Sequence, residues 1–533
     1  MKILAVIPAR AGSKGIPNKN IRIVCGRPLI YYSINNAKNS KYITDIIVST
    51  DSTEVGLIAK QMGVECKWRN KELCGDAVTL DSVIYDAIPK NVVWDYIVTM
   101  QPTSPTLSVE TLDKAIEYAI NKKLETVISV INKPHLSWKE ENGEKKPNYK
   151  ERLNRQYLPA NYLETGAFVI SKSEIVTEKT RIGKKVDVFE ILENESQDVD
   201  NFLDLMSVTA TLECQKVAMY VNGNNKRGTG HIYRALELAD EFYCKPDIYF
   251  DINQTDPKIF GNTTHNLIPV NGIYELFERC RENNYSIFIN DILNTSIDYM
   301  IALKSVLPNT KIINFEDDGE GTNKADLVFN ALYDESPFKH VYVGEKYYIC
   351  AKTFLFYEPI NINEKVKNVL ITFGGADPQN YTDRLLKIIT KEEYKEVNFK
   401  VVLGKAKNNV EELMEYNKFK NIEVLFDIKN MPEIMSSCDI AFTSRGRTGY
   451  ELAMLGIPSI ALAQNSREEN HGFVCNENGF NYLGLNPKDD VIEQAMIEYL
   501  NLSKEKRQTM QDLLLKHDLK NGRRRVMSLI KNA

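Results

Sequence analysis

Three times along this chain a short, mostly apolar, strand-like run leads straight into a glycine-bearing turn. The first is Ile3, Leu4, Ala5, Val6 and Ile7, followed by PARAGSKGIPNKN at residues 8–20. The second is Lys216 to Val221, followed by NGNNKRGTGH, and the third is Lys367 to Phe373, followed by Gly374, Gly375, Ala376 and Asp377. The unbroken apolar run Ile3 to Ile7 reads as a strand buried on both faces, which calls for a parallel sheet flanked by helices, and the two later runs read as first strands of the same kind of unit. The fold class is therefore α/β. With 533 residues the chain exceeds what one core organises, and 43% hydrophobic with 26% charged residues is an ordinary globular composition.

Further strand-like runs at Ile46 to Ser49, Tyr96 to Met100, Val127 to Val130 and Phe168 to Ile170 alternate with amphipathic stretches such as Val55 to Met62. Residues 139–155 are polar and turn-rich and read as a surface excursion or lid. Met206 to Gln215 has no clear period, after which the chain begins again. A helix is expected from about Ile232 to Phe242, with strands at Ser286 to Asn290 and Lys311 to Phe315. Three domains follow, at residues 1–207, 216–360 and 365–533. The last two read as Rossmann-like lobes facing one another, with a ligand cleft between them.

The net charge of -5 argues against a nucleic-acid surface, because phosphate backbones select basic faces. Nine cysteines with no CxxC pair read as free thiols in a reducing cytoplasm. The apolar stretch at the N-terminus is too short for a signal peptide, and no run reaches the ~18 apolar residues of a membrane span. A cytoplasmic enzyme is expected.

In the first loop, Gly12 and Gly15 permit a tight turn that brings backbone N–H groups near an anion, while Arg10, Lys14 and Lys19 supply positive charge. Such a loop is a cradle for nucleotide phosphates. It is neither GxxxxGK[ST] nor GxGxxG. Asp198 and Asp200 lie at i and i+2, so on an extended strand their carboxylates share a face and can meet a hard cation such as Mg²⁺. Asp204 reads equally as a charge at a helix or strand end. His231 follows Gly228, Thr229 and Gly230 at a helix start, where the helix dipole favours a neutral imidazole able to act as a base.

The first loop resembles the opening signature of the CMP-sialic acid synthetase family, cytidylyltransferases that activate nine-carbon α-keto acid sugars. Val48-Ser49-Thr50-Asp51, Gln101-Pro102-Thr103-Ser104-Pro105, Arg155-Gln156, Thr165-Gly166-Ala167 and Asp198-Val199-Asp200 follow in the family's order, over residues 1–207. The resemblance implies a Rossmann-like, GT-A-like nucleotidyltransferase domain that uses CTP, Mg²⁺ and a nonulosonic acid, and a homodimer. It implies that Arg10, Lys14 and Lys19, with backbone around Gly12, Ser13 and Gly15, hold the phosphates. Arg69, Asp76 and the backbone near Ala9 would choose the base, and Gln101, Arg155 and Gln156 would meet the acceptor sugar. Glu164 stands where many relatives carry Asn.

Residues 216–520 resemble GT-B enzymes, which include the MurG glycosyltransferase and, more closely, the UDP-sugar hydrolase of pseudaminic acid synthesis. GTGH at 228–231, FEDDGEG at 315–321, FGGADP at 373–378 and SRGRTGYELAMLGIPSIALA at 444–463 carry it. The resemblance implies a two-lobed GT-B-like region. Gly374 and Gly375 would approach a diphosphate, Ser444 to Thr448 would cap a helix aimed at it, Glu451 would meet ribose hydroxyls, and His231 would activate water against a UDP-amino-sugar. Ile289 to Asn294 replaces an Asp-His-Tyr pattern of the hydrolase, and Arg445 and Arg447 make the phosphate region more basic than usual. Two other readings of this half are a glycosyltransferase and a non-catalytic sugar-nucleotide-binding module.

Overall fold

The computed structural model describes the whole chain except residues 13–14, 76, 225–229, 429 and 533 and the side chain of residue 532. The chain divides into two compact units, Met1–Cys214 and Gln215–Ala533.

In the first unit a seven-stranded sheet has the spatial order Val186–Glu190, Thr126–Asn132, Tyr162–Lys172, Tyr96–Met100, Ile3–Pro8, Asp45–Thr50, Glu65–Trp68. Every pairing is parallel except the two made by Tyr162–Lys172. Ile3 to Ile7 are all buried, because helices cover both faces of this central strand, and that is why the run carries no polar alternation. The helices start where short polar side chains satisfy free N–H groups: Ser52 accepts from Val55, Thr79 from Ser82, and Ser108 from Thr111. Strand order reverses between Ile3–Pro8 and Tyr96–Met100, so the loops after Pro8 and Met100 open into the crevice where α/β sheets bind ligands.

Two segments of this unit take regular structure that the sequence reading left unspecified. Residues 139–155 begin as an exposed antiparallel hairpin, Trp138–Glu141 with Glu144–Pro147, turned by Asn142 and Gly143 at φ 54° and 81°. The stretch without a clear period is the helix Phe202–Leu212. Phe202, Leu203 and Met206 are exposed on it and only Val208 is fully buried, so its apolar residues do not trace one face.

The second unit holds two parallel sheets. In the first, strands Val217–Val221, Asp247–Asp251, Asn266–Val270, Ile287–Asp291, Lys311–Phe315, Leu327–Asn330 and Val341–Val343 take the spatial order 3-2-1-4-5-6-7. In the second, Asn368–Thr372, Asn398–Leu403, Ile422–Phe426, Ile440–Ser444, Ser459–Ala463 and Phe480–Leu485 take the order 3-2-1-4-5-6. Both are the doubly wound order, with the reversal between first and fourth strands. These are the two expected Rossmann-like lobes.

The last helix, Gly522–Asn532, falls by sequence in the second lobe but packs on the first. Val526, Met527 and Ile530 join Val217, Met219 and Ile248 in one buried cluster, and Arg523 donates to Glu241 at 2.8 Å and to the Cys350 carbonyl at 2.8 Å. Ile530→Ala should therefore destabilise the second unit by about 3 kcal/mol, the usual cost of emptying a buried aliphatic site. Urea unfolding followed by tryptophan-independent far-UV dichroism measures it; a loss under about 1 kcal/mol would show that this helix is not part of the core.

Candidate functional site

After Pro8 the backbone leaves the sheet and turns at Gly12, whose φ is 72°. The turn is held from both sides: Ala11 N–H donates to Asp51 Oδ1 at 2.7 Å, and Asn20 Nδ2 donates to the Arg10 carbonyl at 2.9 Å. Gly15 lies directly under the carbonyl of Asp200, where a Cβ would collide. Lys19 closes the arrangement, donating to the Val199 carbonyl at 2.7 Å and pairing with Asp200 at 3.1 Å. The expected glycine loop and acidic pair, 180 residues apart, are thus brought together. Ser13, Lys14 and Asp76 lie outside the described residues.

Asp198 and Asp200 are not on a strand, as the i, i+2 argument assumed; they lie in an irregular segment outside the sheet that bends at Asp200. Val199 between them is fully buried, which anchors the segment, and its N–H donates to the Thr103 carbonyl at 2.8 Å. The two carboxylates consequently differ. Asp200 is largely exposed, whereas Asp198 Oδ1 is buried and has no hydrogen-bond partner, like the hydroxyls of Thr103 and Ser104. Burial pushes the Asp198 carboxyl above its ordinary range; the nearby Thr103 hydroxyl and, more weakly, Lys19 oppose the rise, and Asp200 adds to it. A buried carboxylate oxygen without a donor fits a hard cation. Asp204 serves elsewhere: it completes a capping box with Asn201 at the start of Phe202–Leu212.

A β-bulge between Glu164 and Val169 sets Gly166 at φ 73° beside the Gln101 amide and Asp198. Ser129 and Thr165 hold the bulge, with hydroxyls 2.9 Å apart. Ala9 is buried, and its N–H donates to the Ser49 carbonyl. Arg69 donates to Ser49 Oγ at 3.0 Å and to the Ser49 carbonyl at 2.9 Å, and burial lowers its affinity for a proton. Arg155 and Gln156 are instead exposed on the short 3₁₀ turn Arg155–Tyr157.

In the second unit His231 lies in the first turn of helix Gly230–Ala239, beside the strand-order reversal of the first sheet. Its Nδ1 is 2.5 Å from Asp291 Oδ1, at the end of strand Ile287–Asp291. Because an ionised Asp291 can only accept, the short contact puts the proton on Nδ1 and leaves Nε2 with the lone pair, although Arg234 Nη2 also lies 3.3 Å from Nδ1. Arg234, one turn along the helix, donates to both Asp291 oxygens at 2.8 and 2.5 Å and to Glu316 Oε1 at 3.2 Å. All four side chains are buried. Burial alone would raise the Asp291 carboxyl; Arg234 and His231 outweigh it and hold it below its ordinary range. Asp291, Arg234 and Glu316 were not singled out from the sequence. The i, i+3 spacing of His231 and Arg234 was the available signal.

At the reversal of the second sheet, Gly374 has φ 75° and its carbonyl and that of Gly375 leave no room for a Cβ on Gly404. Asp377 accepts from the N–H groups of Tyr381 and Thr382 at 2.9 Å and pairs with buried Lys407 at 3.1 Å. The expected cap residues shift: Ser444 ends strand Ile440–Ser444, and Gly446 is the N-cap of helix Arg447–Met454. Arg445 does not project as a free charge, since it donates to the carbonyls of Val474 and Glu469 and stacks on Tyr482. Arg447 donates to the Ile349 carbonyl at 2.8 Å and keeps one buried nitrogen unpartnered. Burial pushes the Glu451 and Glu468 carboxyls up to about 7 each, against the pull of Arg447 and of backbone donors respectively.

The family model described as "Cytidylyltransferase" matches residues 4–218. A pseudaminic acid cytidylyltransferase of Campylobacter jejuni is 32% identical, over 38% of this chain and 94% of that protein. The CMP-N,N'-diacetyllegionaminic acid synthase of Legionella pneumophila is 39% identical over 26% of this chain and 62% of its own length. A Helicobacter pylori protein, "Pseudaminic acid cytidylyltransferase and UDP-2,4-diacetamido-2,4,6-trideoxy-beta-L-altropyranose hydrolase", is 26% identical over 87% of this chain and 88% of its own. Several other curated relatives are matched over only about half of their length.

His471 sits edge-on to Tyr333, with Nδ1 2.8 Å from the Arg445 carbonyl and Nε2 buried without a partner. Burial lowers it to about 4. An unfolded histidine binds its proton near 6.5, so between about pH 6.5 and 4 the unfolded state holds more protons and folding weakens as pH falls. Between pH 7 and pH 5, His471→Gln should remove about 2 kcal/mol of that pH dependence from the second unit. Denaturant midpoints at pH 7 and pH 5 measure it, and an unchanged difference between wild type and variant would contradict it.

Proposed function

The chain belongs to the cytidylyltransferase family, and from that membership and the site geometry we infer a bifunctional enzyme of nonulosonic acid synthesis. The first unit transfers CMP from CTP to a nine-carbon α-keto acid sugar. The anomeric hydroxyl of the sugar forms a bond to the α-phosphorus, the bond to the β-phosphate oxygen breaks, and pyrophosphate leaves. The observation that carries this reading is the junction of the glycine loop, Lys19 and the Asp198–Asp200 segment in one crevice.

Within it, Arg10 and Lys19 with the backbone of Gly12 and Gly15 neutralise the triphosphate tail and the departing pyrophosphate. Ser13 and Lys14 belong to the same loop by sequence. Arg69, Asp76 and the Ala9 backbone select cytosine, Gln101 orients the acceptor, and Arg155 with Gln156 pairs its carboxylate from the exposed turn. Asp198 and Asp200 would hold Mg²⁺, which supplies positive charge at the phosphate; two protein carboxylates leave the other positions to phosphate and water. Two copies of the chain form the working enzyme in this reading.

The second unit hydrolyses a UDP-amino-sugar of the kind named for the Helicobacter protein. His231 Nε2 takes a proton from water, the oxygen attacks the anomeric carbon, and the bond to UDP breaks with inversion. Gly374, Gly375, Ser444 and Glu451 frame the nucleotide. The support is the 2.5 Å His231–Asp291 contact, which fixes the free lone pair on Nε2, together with the relative that spans both units.

With CTP, Mg²⁺ and a panel of sialic, legionaminic and pseudaminic acids, pyrophosphate release is expected for at least one acid, and Lys19→Ala should lower kcat/KM about 100-fold. No release with any of them would sink the reading of the first unit. For the second, the full chain should release UDP from UDP-2,4-diacetamido-2,4,6-trideoxy-β-L-altropyranose in water alone, and His231→Ala should cut the rate at least ~100-fold. UDP appearing only when an acceptor is added would instead make this half a glycosyltransferase.

A further inference from the structure

Glu316 is a non-glycine residue at φ 50°, fully buried, directly after the strand Lys311–Phe315. Such a conformation persists only where surroundings over-determine it, and here three contacts do so. Its N–H donates to the Phe329 carbonyl at 2.9 Å, its carboxylate accepts from Arg234 at 3.2 Å, and its carbonyl accepts from Arg467 of the second lobe at 2.8 Å. Arg467 also donates to the Tyr333 hydroxyl at 2.7 Å. The other carboxylate oxygen of Glu316 is buried without a partner.

We propose that Arg234 and Glu316 are positioning residues which hold the His231–Asp291 pair in place and set how readily the His231 ring accepts a proton. The argument is one of charge in a dry site. With a neutral His231 the buried group carries Asp291 and Glu316 against Arg234, a net charge of minus one. Proton uptake at Nε2 brings it to zero. Burial penalises net charge, so the cluster favours the protonated ring that general-base action creates. Without Glu316 the same step would run from zero to plus one.

Among the described residues the other titratable or charged groups around this centre are Tyr348, near Arg234; Tyr450, stacked on Tyr348 and near Glu316; Arg447, packed against Gly230 with Glu451 as its counter-charge; and Tyr333 with Arg467, at the Glu316 backbone. None of them hydrogen-bonds the ring. The fork of Arg234 spans Asp291 through two N–H groups, so it also fixes the carboxylate's rotation and hence the direction in which Nε2 points.

The inference deepens the assignment of His231 as a base but is tested without substrate. In the full chain with ¹⁵N-labelled histidine, the His231 signals, identified by their loss in His231→Gln, report tautomer and titration. The wild type should show the Nδ1–H tautomer at neutral pH. Glu316→Gln should lower the titration midpoint of the ring by about one pH unit, and Arg234→Gln should raise it by a similar amount. Arg234→Lys, which keeps the charge and loses the fork, should keep the midpoint near the wild-type value while letting the Nε2–H tautomer appear. Midpoints that do not move, or that move the same way in Glu316→Gln and Arg234→Gln, overturn the proposal. If Arg234→Gln does not fold, Glu316→Gln, which is isosteric, decides alone. Failure of the hydrolase reading is separate: it would appear as absent UDP release by a wild type whose ring titrates as described.

Discussion

One ammonium group holds the first site together. Lys19, on the far side of the glycine loop, reaches the Val199 carbonyl and the Asp200 carboxylate, so the loop that follows the first strand and the acidic segment 180 residues later become one surface. The sheet alone would not do this. It brings the loops after Pro8 and Met100 to the same crevice, but Asp198 and Asp200 lie in a segment outside the sheet and need a tether. Gly15 is the steric counterpart of the tether, since any side chain there would strike the Asp200 carbonyl. The consequence for chemistry is a division of labour between two adjacent acids. Asp200 is exposed and already paired, while Asp198 is half-buried, raised in proton affinity and missing a donor at Oδ1.

The second unit solves a different problem by a related route. Its first sheet places His231 and Asp291 at the point of strand-order reversal, but a carboxylate buried there would be costly unless matched. Arg234 provides the match and Glu316 balances Arg234, giving an alternating line of charge that ends at a backbone contact with the second lobe. Packing of the final helix onto the first lobe ties the two lobes a second time. Both devices are long-range, and both rest on side chains whose polar ends are almost all satisfied within the unit.

How much of this is legible in the sequence follows from which interactions are local. The strands Tyr96–Met100 and Lys311–Phe315 are delimited to the residue, because an apolar run bounded by turns needs no knowledge of its neighbours. The glycine loop is equally plain. By contrast, helix Phe202–Leu212 is concealed by the exposed Phe202, Leu203 and Met206, and the final helix gives no sign of which lobe its apolar stripe meets. The partners of His231 are hidden for the same reason: Asp291 lies sixty residues away and reads as the end of an ordinary strand. Arg445 misleads in the opposite sense, since a cation in a basic motif is consumed by two carbonyls and a tyrosine ring. Asp204 is an acid whose task is to start a helix.

A crystal of the full chain grown with Mn²⁺ and a non-hydrolysable CTP analogue would test the central claim most directly, because anomalous scattering locates the ion independently of the nucleotide. The account requires the triphosphate to lie along residues 9–19, with the ion against Asp198 and Asp200 and a phosphate oxygen. An ion bound elsewhere, or a nucleotide whose phosphates do not touch that loop, would contradict it.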